Sequence, residues 1–197
     1  MDHQNIEQYV KKNLDESKDL IENIVKDVMF KKNIMEVALL CCKSIENKGK
    51  IIFAGNGGSA ADAQHFSAEL MVRFQANRKS IPSIALNTDT SIITACANDF
   101  GFEDIFTRQL EGLANQNDIF IAISTSGNSQ NILNALQYAK SKEIKSVLLT
   151  GKSNLKIKDF CDYIIRVPSK STARIQELHS LCGHLICGII ENYFLDN

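Results

Sequence analysis

Apolar residues in the first part of the chain recur at helical spacing: Ile6, Val10 and Leu14, then Leu20, Ile24 and Val28, and on through Val37, Leu40 and Cys41. The spacing predicts helix over residues 4–47, ended by Asn47-Lys48-Gly49. Beyond that point short, continuously apolar runs (KIIFAG, SIALNT, DIFIAIS, SVLLTG, CDYIIRV) alternate with amphipathic stretches. Those stretches predict helices over 59–75, through Ile93 and Cys96, from Phe102 to Leu113, and over 129–141. A strand that is apolar at every position is buried on both faces, which is the signature of a parallel sheet covered by helices on each side. The fold class expected is therefore α/β: a doubly wound five-stranded parallel sheet with N-terminal helices and a long C-terminal helix.

Pro168 and the polar SKST lead into that last helix, at about 172–194, with an apolar stripe of Ile175, Leu178, Leu181, Leu185, Ile189 and Tyr193. A single domain is expected over 1–197: a helical extension at 1–48, an α/β core at 49–168 and the C-terminal helix at 169–197. The leading helices and the final stripe offer more apolar surface than five strands need. Helix-mediated self-association and simple packing on the sheet are both open readings of that surplus.

Composition narrows the class without naming a chemistry. Of 197 residues, 44% are hydrophobic and 23% charged, as in an ordinary globular protein. The net charge of -1, with no Lys/Arg stripe, gives no footprint for nucleic acid. The N-terminal MDHQNIEQYVKKNLDESK lacks an apolar core for a signal peptide, and no run is long enough to span a membrane, so a cytoplasmic location is expected. Cys41, Cys42, Cys96, Cys161, Cys182 and Cys187 show no Cys-x-x-Cys spacing and sit in apolar segments, which suits reduced, buried thiols.

Two loops carry the candidate chemistry. Gly55-Asn56-Gly57-Gly58-Ser59-Ala60 fits G-x-G-x-x-G/A between a strand and a helix, but the acidic residue a dinucleotide site needs at the end of the second strand is missing, the first candidate being Asp89. A Walker loop fails because no Lys-Ser/Thr follows. What remains is a loop of small residues whose N–H groups and following helix can face an anion. The second loop, Ser124-Thr125-Ser126-Gly127-Asn128-Ser129, can surround a phosphate with hydroxyls and a helix start, without Lys or Arg. Following the first and third strands of a flavodoxin-like order, the two would meet at the switch point where open sheets bind ligands.

Taken together, GNGGSAADAQHFSAEL, ACANDFGFEDIF, STSGNSQNI and TARIQELHSLCGHL, in that order, resemble the SIS (sugar isomerase) family and, within it, the phosphoheptose isomerases, which act on sedoheptulose 7-phosphate. The resemblance covers nearly the whole chain. It implies substrate contacts from Asn56, Gly57, Gly58, Asn98, Asp99, Glu69 and Gln176, and a phosphate held by Ser124, Thr125, Ser126 and Ser129. It implies one zinc per subunit on His65, Glu69, Gln176 and His184, with Glu69 and His184 the catalytic acid/base pair. It further implies a homotetramer with sites at subunit interfaces, and a product that supplies bacterial heptose for lipopolysaccharide, capsule or another glycan. Where certain family members carry an acidic residue before R-I-Q-E, this chain has Ala173.

The spacing of these residues can be weighed separately. His65 and Glu69, at i and i+4, share a helical face just past the glycine loop, as a ligand pair or as a common surface pair. Gln176 lies eight residues before His184, a drift of about 80° around a helix; spacing prefers Glu177, and only the resemblance selects Gln176. His184, among Leu181, Leu185 and Ile186, taken singly reads as a satisfied core histidine. Arg73 could reach a sugar phosphate or form a structural ion pair, and His179 has no evident role.

A ketose–aldose isomerase moves a proton between C1 and C2 through a cis-enediol and needs a base, an acid and positive charge near the developing oxyanion. A metal-assisted hydride shift is the mechanistic alternative. The functional alternatives are a non-catalytic SIS module that binds phosphosugar and associates with the replication initiator, and an isomerase or sensor for another phosphosugar.

Overall fold

In the computed structural model, residues 2–152 and 159–195 are described. Two helices lead, α1 (His3–Lys26) and α2 (Val28–Glu46). Then come β1 (Ile51–Gly55), α3 (Gly58–Met71), β2 (Ser83–Ala85), α4 (Thr90–Asp99), a 3-10 turn (Phe102–Asp104) and α5 (Thr107–Leu113). The chain closes with β3 (Ile119–Ser124), α6 (Gln130–Ser141), β4 (Lys145–Thr150), β5 (Tyr163–Arg166) and α7 (Thr172–Leu195).

The five strands form one sheet in the order β2-β1-β3-β4-β5, every pair parallel. This is the flavodoxin-like order, and both faces are covered. Ile51, Phe53, Ile119, Ile121, Ile123, Val147 and Leu149 point into a core shared with α2, α3 and α7. The intervening Ile52, Ala54, Phe120, Ala122 and Leu148 point into a second core with α5 and α6. Alternate side chains serving two cores explain why these strands are apolar throughout.

Several predicted boundaries are corrected. The single helix expected over 4–47 breaks at Asp27, whose carboxylate accepts from the Phe30 N–H at 2.9 Å and starts α2 while its own N–H closes α1. Asp27 is a cap hidden inside a helical rhythm. Of the predicted stripe, Leu20 and Ile24 are buried, but Ile6, Val10, Leu14 and Val28 are exposed, Val28 by 70%. The helix expected over 59–75 stops at Met71, and that expected over 102–113 is a 3-10 turn followed by α5. On α7, Ile175 and Leu178 are buried, Leu181, Ile189 and Tyr193 pack partly buried, and Leu185 is exposed. Asp89, set aside as a ribose ligand, instead caps α4 through the Ile92 N–H at 2.9 Å. None of the six cysteines is in a disulfide; five are buried and Cys161 is half-buried.

Candidate active site

The switch point lies where β1 and β3, paired from Ile51↔Ile119 to Gly55↔Ile123, release their following loops side by side. After β1, Gly57 adopts φ 56°, ψ -121°, a conformation open to glycine, and starts α3 without a side-chain cap. The Ser59 N–H donates back to the Asn56 carbonyl at 3.0 Å, and those of Ala60 and Ala61 to the Gly57 carbonyl at 3.0 and 3.3 Å, so the backbone itself closes this turn. After β3, Gly127 (φ 68°) folds the serine loop back, its N–H donating to the Ser124 hydroxyl at 3.2 Å. The Ser124 and Ser129 hydroxyls stand 3.2 Å apart, and the Asn128 N–H donates to the Ser126 hydroxyl at 3.1 Å. Ser129 precedes α6 without capping it.

Two asparagines that sequence reasoning did not single out, Asn131 and Asn87, join these loops. Asn56 and Asn131 exchange amide hydrogen bonds at 2.9 and 3.0 Å, and Asn87 accepts from the Gly55 N–H at 3.2 Å while donating to its carbonyl at 2.6 Å. The only signal in the sequence was that Asn131 falls within the STSGNSQNI block, in the first turn of a helix.

At the other end of α3 the helix runs against α7. Gly183 permits the close approach: a Cβ there would stand 2.0 Å from the Phe66 ring. His65 and Glu69 from α3 and His184 from α7 converge. The His65 and His184 Nε2 atoms are 3.1 Å apart, and Glu69 Oε1 is 3.2 Å from the first and 3.3 Å from the second. Glu69 is buried while His65 is exposed. Its second oxygen, Oε2, is buried without a well-aligned donor among the described residues; the nearby Cys187 thiol is kept protonated first by burial and then by the Glu69 carboxylate. Around the cluster, Phe74 stacks on His184 with centroids 5.6 Å apart and planes at 14°, and Asp62 accepts from the Ser180 hydroxyl at 2.7 Å. Burial raises the Asp62 carboxyl above its ordinary range, with Ser180 and the two histidines opposing the rise.

The donor set suits a metal ion. Tetrahedral ligands about 2.0–2.1 Å from zinc stand about 3.3 Å from one another, close to the separations seen here. Two imidazole nitrogens and a carboxylate oxygen all aimed at one point, with a buried carboxylate oxygen left over, fit a shared cation.

The remaining predicted residues divide. Gln176 lies over the glycine loop, its Nε2 standing 2.3 Å from where a Cβ on Gly58 would be. Glu177 turns the other way, exposed, accepting from Ser17 at 2.9 Å and paired with Arg174. Asn98 and Asp99 are exposed at the end of α4, hydrogen-bonded to each other at 2.7 Å and to none of the other site residues. Arg73 is exposed and forms no ion pair among the described residues. His179 is fully buried with no well-aligned partner for either ring nitrogen among the described residues, and burial pushes its imidazole down to about 4, the Thr150 backbone offsetting only part.

The SIS domain family model matches residues 12–151. The phosphoheptose isomerase of Nitratiruptor sp. is 46% identical over 95% of this chain and 99% of its own. Phosphoheptose isomerase 2 of Campylobacter jejuni is 48% identical over 95% and 94%. The chain belongs to the SIS domain family, among the phosphoheptose isomerases. The fold agrees. A phosphoheptose isomerase structure from Neisseria gonorrhoeae superposes with a TM-score of 0.88 at 36% identity, covering 95% of this chain and 99% of that one. One from Francisella tularensis gives 0.89 at 36% identity, covering 94% and 97%. Among the described residues, no helix of this SIS protein is long and apolar enough to cross a membrane.

Proposed function

We propose that this chain is an enzyme that isomerises sedoheptulose 7-phosphate to D-glycero-D-manno-heptose 7-phosphate, the step that commits a seven-carbon sugar to bacterial heptose precursors. The observation that carries the reading is the convergence of Glu69 and His184 from two helices, in a chain whose serine loop suits a phosphate. A phosphorylated sugar laid across the switch point would place its phosphate among Ser124, Thr125, Ser126 and Ser129, where hydroxyls, amides and the start of α6 supply donors. Asn56, Gly57 and Gly58 would line its path toward Glu69, with Gln176 above them. Asn98 and Asp99, on the exposed end of α4, would complete the substrate contacts once subunits assemble.

In the reaction, a base takes the proton from C1, giving a cis-enediol, and the proton returns at C2 while the hydroxyl proton on O1 passes to O2. Glu69 and His184 are the pair that exchanges these protons. Glu69 is held by burial and His184 by the stacked Phe74 ring, so both approach the substrate in fixed directions. Zinc, one per subunit, would be held by His65, Glu69, Gln176 and His184, and when bound supplies positive charge toward the developing oxyanion. The presence of both Glu69 and His184 in one cluster favours an enzyme over the non-catalytic module that associates with the replication initiator.

The working form is a homotetramer with sites at subunit interfaces, in the cytoplasm. Support for assembly comes from α1 and α2, where Tyr9, Leu14, Val28 and Met29 are each more than half exposed. The test is to incubate the purified protein with sedoheptulose 7-phosphate and follow aldose formation, before and after chelation and after zinc is restored. Conversion that falls on chelation and recovers with zinc is expected; no conversion in any arm overturns the assignment.

A further inference from the structure

The acid/base reading leaves unused a buried ion pair at the far end of the α3–α7 seam. Glu191 lies on α7 seven residues, about two turns, beyond His184, and so returns to the same side of the helix. Its Oε1 accepts from the Phe74 N–H at 2.9 Å and from Arg78 Nε at 3.0 Å. Its Oε2 accepts from the N–H groups of Gln75 at 2.7 Å and Ala76 at 2.9 Å. The Arg78 side chain, equally buried, spends its other donors on the carbonyls of Glu69 at 2.7 Å, Leu70 at 2.8 Å and Lys79 at 2.9 Å. Two of those carbonyls belong to the last turn of α3, where a helix lacks its own donors.

A clamp built only for stability would not need charges here. An apolar pair of similar volume is often as stable as a buried ion pair, or more so. What an apolar pair cannot do is bind three successive backbone amides and two helix-end carbonyls, and so dictate the course of the chain from Glu69 to Arg78. That course delivers Phe74 onto the His184 ring. Gly188, one turn past His184, faces the same ring: a Cβ there would meet Phe74 at an ordinary contact distance of 3.4 Å.

We propose that Glu191 and Arg78 are positioning residues for the isomerase, a buried clamp that sets Phe74 against His184 and fixes the helix turn bearing Glu69. Through it, the two proton-exchanging side chains, which come from different helices, share one rigid support. The proposal rests on the assignment of Glu69 and His184 as that pair.

The test uses Glu191→Gln, Phe74→Leu and the double variant. Glu191→Gln keeps the side chain's size but turns an N–H toward the loop's donors and removes the charge facing Arg78. Phe74→Leu keeps the clamp and removes only the stacked ring. For the full-length, zinc-loaded chain, kcat and KM are measured below the unfolding temperature, and the zinc affinity of the metal-free chain is measured by competition with a chromogenic chelator. Each single variant is expected to lose about 10-fold in kcat with KM changed less than about 2-fold. Each is expected to weaken zinc binding about 10-fold, as loss of support behind a ligand does. The double variant is expected to be no slower than Glu191→Gln, because loss of the clamp already frees the ring that Phe74→Leu removes. A Glu191→Gln chain that melts earlier but keeps kcat and zinc affinity overturns the proposal, as do losses that multiply in the double variant. Should Glu191→Gln fail to fold, parent-like kcat and zinc affinity in Phe74→Leu overturn it alone. His184→Gln in the same assay separates the two layers. Normal turnover there sinks the acid/base reading and the clamp with it, whereas lost turnover there beside parent-like Phe74→Leu and Glu191→Gln sinks only the clamp.

Discussion

Two carboxylates are buried along the seam between α3 and α7, Glu69 on the first helix and Glu191 on the second, 8% and 2% exposed. Glu191 is saturated: three backbone N–H groups and Arg78 fill both oxygens. Glu69 faces two imidazole nitrogens with one oxygen and leaves the other without a donor. An unsatisfied buried acceptor costs about 1–3 kcal/mol, so the fold tolerates at Glu69 what it avoids at Glu191. Burial alone therefore does not mark a functional acid. The mark is burial with the lone pairs left open beside groups that can carry a proton or share a cation.

The contrast is broken most directly at Glu69. Glu69→Gln and His184→Gln are each expected to lose at least about 100-fold in turnover while circular dichroism and the melting transition stay native. Near-normal turnover in either removes the pair from the chemistry. At Glu191 the larger expected effect is on stability. Glu191→Ala leaves the Arg78 guanidinium buried without its counter-charge and should lower unfolding free energy by about 3 kcal/mol, read as a drop in urea midpoint. Although burial works against ionisation, the loop amides and Arg78 hold the Glu191 carboxyl below its ordinary range. A depressed acid contributes stability that is present above its unfolded value and lost as pH falls through its folded one. The parent chain should thus shed this contribution below about pH 4, and Glu191→Ala should show a flatter acid limb.

His179 sharpens the comparison from the same helix. Its ring nitrogens are also buried without a well-aligned partner, and what opposes that burial is the Thr150 backbone, not a carboxylate. It belongs to packing. With its imidazole pushed from 6.5 down to about 4, the unfolded chain binds a proton between those values that the folded chain refuses. Stability is then full above pH 6.5 and falls by about 3 kcal/mol as pH drops toward 4. His179→Leu should remove most of that slope in urea unfolding at pH 7 and pH 5, with turnover at pH 7 within about 2-fold of the parent. An unchanged slope would assign the acid sensitivity to another group.

The sheet was legible because each strand feeds two cores, and that requirement writes itself as an unbroken apolar run. The break at Asp27 was not, because a cap reads as an ordinary surface acid when apolar spacing continues across it. At the site, the i, i+4 pair His65 and Glu69 could be seen on its helix, but their meeting with His184 depends on α3 and α7 lying close at Gly183, a tertiary fact. Phe74 follows the end of α3 and carries no periodic signal. Glu191 did leave a trace, a lone acid following Ile189 and Ile190 on the apolar stripe of α7, a placement that demands buried partners.

Gln176 and Glu177 give the smallest and most discriminating test. Helical spacing favours Glu177 as the companion of His184, since seven residues nearly complete two turns. The packing of α7 decides otherwise: Glu177 projects toward α1, where Ser17 and Arg174 engage it, and Gln176 projects over Gly58. Gln176→Ala is expected to reduce turnover about 10-fold with little loss of stability, since the amide end serves the site and not the core. Glu177→Ala removes an exposed contact worth less than about 1 kcal/mol and should leave turnover within about 2-fold and the melting temperature within a few degrees. If Glu177→Ala proved the slower enzyme, the carboxylate would have to reach the glycine loop by a different rotation of α7. His184 would rotate with it, and the convergence on Glu69 would be lost.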